Sequence, residues 1–345
     1  MPAPPPEPTT PARPRRILVL GAGGRHKTED AIARGARHLG HAARVVDVAG
    51  LARRLGALGL AVADRRARAF EPDLVLCTRH AHLLGMERLR ALFAGRDAAV
   101  WYFDAAPRAE ATALARLAGT LYVTSLAQVP AYQREVPVVH FLPQALDPGQ
   151  DRPATAIPAA YRCDASFVGS GPYPHRWPLL RAIAATCRLQ IRGPGWRGAP
   201  GDLPVAGGEV RGRAFAKVVA GAAVNLGANA VPAQDLERGS ASNRMWKVLG
   251  CGGFYLGRRV PDIEAFARDG EHCRWYGSVE EAVAITRWAL AEPGRRAAIA
   301  AAGRAHALAH HTYADRVRLL VEGRGYEIGE RGAGNGERGT GNGGR

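Results

Sequence analysis

From residue 15 onward, short apolar runs alternate with helical patterns, and the alternation stops at a proline-rich stretch and then starts again. Apolar runs at 17–20, 43–48, 73–77, 99–103, 120–124 and 138–142 are too short for buried helices and are separated by helix-length segments such as 28–39 and 51–70. Strands linked this way run parallel, with the helices as crossovers. Residues 143–158 carry proline and polar groups and read as a connection. The pattern resumes with strands at 165–168, 189–191, 223–226 and 254–256 and helices at 177–186, 213–220, 244–249, 279–290 and 295–310. A chain of 345 residues with 47% hydrophobic residues can bury two such cores. The expected organisation is a tail (1–14), a Rossmann-like domain (15–147), a linker (148–160), a second Rossmann-like domain (161–322) and a Gly-rich tail (323–345). Ligands of open parallel sheets bind outside the carboxyl ends of the strands, so the residues just after each strand are where chemistry is expected.

Composition excludes several classes. Five cysteines are odd in number, far apart and never in a C-x-x-C pair, which speaks against a disulfide framework or a zinc knuckle and fits a reducing cytoplasm. No apolar run approaches the roughly 20 residues needed to cross a bilayer. The net charge of +16 is spread evenly, +7 over residues 1–150 and +9 over 151–345, and only Lys27, Lys217 and Lys247 among the cations are lysines. Scattered arginines favour encounter with an anionic small molecule, an acidic polymer or an anionic membrane surface, without specifying which.

The loop after the first strand, Gly21-Ala-Gly-Gly-Arg-His-Lys-Thr28, misses both a dinucleotide fingerprint and a P-loop at one position, where His26 stands in place of glycine. Gly21, Gly23 and Gly24 can line a phosphate or sugar, or serve only a tight strand-to-helix turn. After the third strand, His80 and His82 offer no third metal ligand; His80 is the better candidate for contacting a substrate. Asp104 follows the fourth strand and either caps a helix at 105–116 or serves an acceptor hydroxyl as hydrogen-bond partner or base.

In the second half, Gly169, Ser170 and Gly171 permit close backbone approach, and Arg176 opens the next helix. Gly193, Gly195 and Trp196 form a second loop, whose indole can stack on a base or sugar. The segment SNRMWKVLGCGG (242–253) places Arg244 and Lys247 three residues apart on one helix face, a spacing that can hold a diphosphate. No Asp-x-Asp occurs; Asp235-x-Glu237 and Asp262-x-Glu264 fall short of a paired-aspartate metal site. Cations must then neutralise any diphosphate, and no metal ligand set is expected. No hydrolase motif is present.

From 165 to about 320 the chain resembles the C-terminal domain of GT-B glycosyltransferases, in particular the CgeB-like (spore maturation protein) group. The resemblance is carried by SFVGSG with Arg176, the IRGPGW loop, AVNLG, SNRMWKVLGCGGFYL, DGEHCRWYGSVEEAV and AHHTYADR, in that order. It implies a GT-B α/β fold, two Rossmann-like domains facing each other across a cleft. It further implies a bacterial-type transferase with a nucleotide-diphosphate-sugar as co-substrate and no separate cofactor. Gly169, Ser170, Gly171, Arg176, Ser242 and Arg244 would lie near the diphosphate, with Gly193, Gly195 and Trp196 near the base. Related retaining enzymes hold the donor ribose with a glutamate where Lys247 stands, and their partner glutamate falls at 239–240, here Gly-Ser.

The expected reaction transfers a sugar to an unknown acceptor, with Arg244 stabilising the leaving diphosphate and His80 or Asp104 facing the acceptor hydroxyl. Nucleic acid is not an expected partner; peripheral membrane contact is compatible with the charge. Two rivals stand beside this reading. One is a dinucleotide-dependent oxidoreductase using the Gly21–Gly24 loop with Asp47 on the ribose. The other is a non-catalytic protein that holds polyanions through its charge.

Overall fold

The structure, a computed structural model, describes residues 13–104, 108–229, 238–240 and 242–328. The first domain contains β1 (Arg16–Gly21), α1 (Thr28–His38), β2 (Ala42–Asp47), α2 (Val48–Arg68), β3 (Leu74–Cys77), α3 (Met86–Phe93), β4 (Asp97–Tyr102), α4 (Ala109–Ala118), β5 (Thr120–Val123), α5 (Val129–Gln133) and β6 (Val138–Phe141). Its sheet is parallel throughout, in the order β2-β1-β3-β4-β5-β6. The second contains β7 (Cys163–Val168), α6 (Trp177–Ala184), β8 (Leu189–Arg192), β9 (Val205–Gly207), α7 (Arg213–Gly221), β10 (Ala222–Gly227), α8 (Asn243–Gly250), β11 (Tyr255–Arg258), β12 (Arg274–Tyr276), α9 (Val279–Ala291) and α10 (Pro293–His310). That sheet is also parallel, in the order β12-β11-β10-β7-β8-β9. The strand order reverses between β1 and β3 in the first sheet and between β7 and β10 in the second. Parallel sheets of this kind have two faces to cover, and the central strands β1 and β3 are accordingly apolar and buried on both sides.

Right-handed crossovers explain where the last helix goes. In the first sheet only the β1-to-β2 step moves one way; every later step moves the other way and puts its helix on the opposite face. Residues of α2, α3, α4 and α5 accordingly bury one face with Leu18, Val75, Val100 and Leu121. The other face would have α1 alone. The helix α11 (Tyr313–Val321) returns to fill it, and Tyr313, Val317 and Leu320 pack with Ile32, Leu76, Trp101 and Tyr122. Residues 313–321 thus belong physically to the first domain, which corrects the boundary expected at 322. Tyr326 also packs, with its N–H donating to Phe141 O at 2.7 Å, so the described residues 323–328 are folded against the domain seam and are not tail. The expected helix at 105–116 begins later: residues 105–107 lie outside the described set, and α4 has Arg108 at its N-cap position.

The crossover is fixed by a buried polar group. Arg316, 1% exposed, donates from Nε to Pro143 O (2.9 Å) and from Nη2 to His311 Nδ1 (3.0 Å), with Trp246 and Tyr326 beside its guanidinium. His311 heads a group of histidines: His306 stacks on His272 with ring centroids 4.0 Å apart and donates to Phe266 O. Burial and then the charge of Arg316 hold the His311 pKa well below the ordinary value, and burial with the neighbouring His272 pulls His306 down to about 4.

Two outcomes follow for stability. At Gly35 a Cβ would lie 2.7 Å from the Tyr313 backbone, so Gly35→Ala should destabilise by about 1–3 kcal/mol in urea unfolding, although alanine is the better helix former. Unchanged or raised stability would contradict the close α1–α11 approach. Because the buried histidines bind protons less readily folded than unfolded, their contribution is present above about pH 6.5 and is lost as pH falls toward about 4. His306→Gln should make unfolding free energy less steep across this window, by up to about 1.4 kcal/mol per pH unit.

Candidate active site

The carboxyl edges of the two sheets meet. The His26 ring stands against Gly212, and the Leu126 N–H and Ser125 hydroxyl both donate to Arg238 O, at 2.8 and 3.1 Å. The crevice between the domains therefore opens where both strand orders reverse, the place at which such sheets take ligands.

On the second domain's side, two arginines occupy the reversal point. Arg176, 4% exposed, follows the β7 loop and donates from Nε to Asn229 O (2.8 Å) and from Nη1 to Ser170 O (3.0 Å). Arg244, in the first turn of α8, donates from Nε to Val168 O (2.5 Å) and from Nη1 to Ala228 O (3.1 Å). Both guanidiniums lie over the Phe167 ring, with their central carbons 5.6 and 4.6 Å from its centroid. Carbonyl oxygens and an aromatic face orient Arg244 without neutralising it. Among the described residues Arg244 has no carboxylate partner, and burial lowers its pKa while it remains a cation. Its Nη2 lies 2.6 Å from where a Gly169 Cβ would be, so glycine at 169 makes room for the guanidinium. Ser242 caps α8, its hydroxyl accepting from the Met245 N–H at 3.4 Å.

The two glycine loops are knitted to each other. Gly169 N–H donates to Arg192 O and Gly171 N–H to Pro194 O, both at 2.9 Å. A Cβ at Gly193 would fall 2.0 Å from Gly169 O, and one at Gly171 2.4 Å from Gly195 O. Trp196 is 8% exposed, donates its indole N–H to Gly169 O (2.9 Å) and meets Phe167 edge-on at 6.2 Å. The small residues at these positions are accounted for by loop-to-loop approach, and the indole offered to a base by sequence is committed to the core.

Lys247 goes elsewhere. One helical turn beyond Arg244, it lines a small pocket at the domain seam with Asp147, Asp151, Arg34, Lys27 and Tyr313. Asp147 pairs with Arg34 at 2.5 Å, and burial raises the Asp151 pKa against the opposing charge of Lys247. The helical spacing is as expected, but the two cations serve different places: Arg244 the sheet edge, Lys247 the linker.

In the first domain the glycine loop is already filled with carboxylates. Glu29 Oε1 accepts from Ala22 N–H (3.1 Å) and the Thr78 hydroxyl (2.7 Å); Asp47 Oδ1 accepts from Gly23 N–H (2.9 Å); Asp30 Oδ2 accepts from Gly24 N–H (2.7 Å). A Gly21 Cβ would strike Thr78 Oγ1. Three acidic groups stand where a pyrophosphate would need free donors, which removes the basis for a dinucleotide at this loop and for Gly21, Gly23 and Gly24 as a phosphate wall. Asp47 also caps α2 through Gly50 N–H. Sequence reading passed over Glu29, though a carboxylate in the first turn of a helix behind a glycine loop is the signal that finds it. His80 lies beside this network; burial first, then Arg79, lowers its pKa, which favours the neutral imidazole. Asp104 is held by Arg79 (3.3 Å) and Arg108 (3.6 Å) and does not cap α4. Asp235 and Glu237 lie outside the described residues; among those described, no group of three or more His, Cys, Asp or Glu is placed to hold a metal ion.

Replacing Trp196 by Phe keeps the ring and removes its hydrogen bond to Gly169 O, which should cost about 1 kcal/mol in denaturant unfolding. No loss would mean that the indole does not tie the two loops together.

Residues 176–322 match the family model described as Glycosyl transferase-like. No match is found among curated protein sequences. Among solved structures, the fold is similar to Anabaena Alr3699/HepE in complex with UDP-glucose, with a TM-score of 0.63 and 16% identity over 90% of this chain and 99% of that one. It is similar also to α-glucosyltransferase (AGT) in complex with UDP (TM-score 0.65, 10% identity, 89% and 99% covered). Sucrose-phosphate synthase (tll1590) from Thermosynechococcus elongatus gives a TM-score of 0.61 at 12% identity, with 89% and 98% covered. The chain has the two-domain GT-B fold, and its residues 176–322 are similar to the Glycosyl transferase-like family.

Proposed function

We propose that this protein transfers a sugar from a nucleotide-diphosphate-sugar, a UDP-sugar by the ligands of its structural neighbours, to an acceptor hydroxyl, without a divalent ion. The observation that carries this is the pair Arg176 and Arg244: two guanidiniums at the strand-reversal point, held by carbonyls, with Arg244 lacking any carboxylate among the described residues. As the anomeric C–O bond breaks, negative charge develops on the departing diphosphate. Preorganised cations stabilise that charge more than they stabilise the ground state, and so lower the barrier. The diphosphate side is the second domain, through Arg244, Arg176 and the α8 N-terminus capped by Ser242. The acceptor side is the first domain, where neutral His80 is suited to take the hydroxyl proton and Asp104, tied to two arginines, is not free to do so.

Lys247 marks a departure from the CgeB-like pattern. Its place at the linker, with Asp151, supports a role in seating the domains, and recognition of the ribose falls to other groups. Five unpaired cysteines, four of them buried, support a cytoplasmic setting.

Arg244→Ala should lower donor turnover by about a hundredfold, on the order of 3 kcal/mol, in a donor-hydrolysis or transfer assay run with EDTA. Because Arg244 also ties Val168 O to Ala228 O, the melting temperature of the variant is measured in parallel, and Arg244→Lys should recover part of the rate. Full activity in Arg244→Ala, or loss of wild-type activity in EDTA, would overturn the assignment.

A further inference from the structure

The outer face of α2 belongs to none of the sites above. Val48, Gly59, Ala63 and Ala67 turn inward, as the helix pattern requires. At Gly56 the backbone leaves the helical region (φ 54°, ψ −131°), and beside this break Leu55 is 50% and Leu58 66% exposed. These are the two most exposed large apolar side chains among the described residues. Leu83, 37% exposed, lies on the turn Ala81–Leu84, which packs against α2. Arg53, Arg54, Arg65 and Arg66 of the same helix are exposed. Arg54 reaches Asp47 at 3.3 Å; Arg53, Arg65 and Arg66 have no ion pair among the described residues.

Two leucines three residues apart at the most exposed positions of a helix that carries exposed arginines make an apolar spot with a charged rim, the kind of surface that takes a partner or a membrane. Exposed leucine tips on a helix that also carries Arg53, Arg65 and Arg66, without ion pairs among the described residues, match one surface chemically. The leucines can enter the boundary between headgroups and acyl chains while the guanidiniums meet anionic headgroups and keep their stems along the apolar layer. The patch also has a definite place. Asp47, at the carboxyl end of β2, caps the start of α2, and Ala81–Leu84, which carries Leu83, follows β3 and packs against α2.

We propose that Arg53, Leu55, Leu58, Arg65, Arg66 and Leu83 dock the first domain on an anionic lipid bilayer. The proposal does not depend on the glycosyltransferase reading. It is tested with the full chain by cosedimentation with vesicles of phosphatidylcholine alone and of phosphatidylcholine with about a third phosphatidylglycerol, at low and high salt. Binding is expected to the anionic vesicles and to weaken with salt. The double variant Leu55→Ser/Leu58→Ser should lower partitioning by about tenfold or more at an unchanged melting temperature. Arg53→Gln/Arg65→Gln/Arg66→Gln should weaken binding and flatten its salt dependence. No binding to anionic vesicles, or binding that survives the leucine double variant, would overturn the proposal. So would a dimer in gel filtration that the leucine variant converts to monomer, since the face would then be covered by a second copy.

Discussion

The structure depends on how two guanidinium groups are held at the reversal point of the second sheet. Parallel strands end with carbonyl groups that have no further partner in the ladder, and at β7 and β10 four such oxygens accept from Arg176 and Arg244. These bonds orient both cations, and for Arg244, which has no carboxylate partner among the described residues, they leave the charge in place. The Phe167 ring lies under both groups. Glycine at 169 is required by the same arrangement, because any side chain there would displace Arg244. Loop sequence, helix start and sheet topology thus converge on one electrostatic feature.

The first domain is built on the opposite sign. Its reversal point is occupied by Glu29, Asp30 and Asp47, each consuming a backbone N–H of the glycine loop. A loop that looks like an anion site by composition is therefore saturated by its own carboxylates. The crevice is therefore asymmetric, with a cationic lip on the second domain and a polar, carboxylate-filled lip on the first. The chain ties the lips together through α11 and Arg316, which joins Pro143 of one domain's edge to His311 at the end of the other's last helix.

Much of this was legible in the residues. The apolar runs at 17–20, 73–77 and 165–168 became β1, β3 and β7 with ends shifted by a residue or two, and Arg176 and Arg244 fell at the edge where strand ends are expected. What escaped has physical causes. β9 and β12 are three residues long, too short for periodicity to register. The destination of α11 is set by an uncovered sheet face, a property of topology and not of the helix's own sequence. Trp196 reads as a stacking platform because an indole beside glycines looks exposed, but the glycines let two loops close over it. Arg244 and Lys247 separate because helical spacing fixes direction only roughly, and a long side chain goes to the nearest site that orients it.

The central claim is that the second domain binds a diphosphate through arginine charge alone. Calorimetric titration of the wild-type protein with UDP and with UMP, both in EDTA, tests it most directly. The account predicts that UDP binds at least about tenfold more tightly than UMP, since each charge-assisted hydrogen bond contributes roughly 1.5–3 kcal/mol. Equal affinities, or UDP binding that appears only after a divalent ion is added, would contradict it.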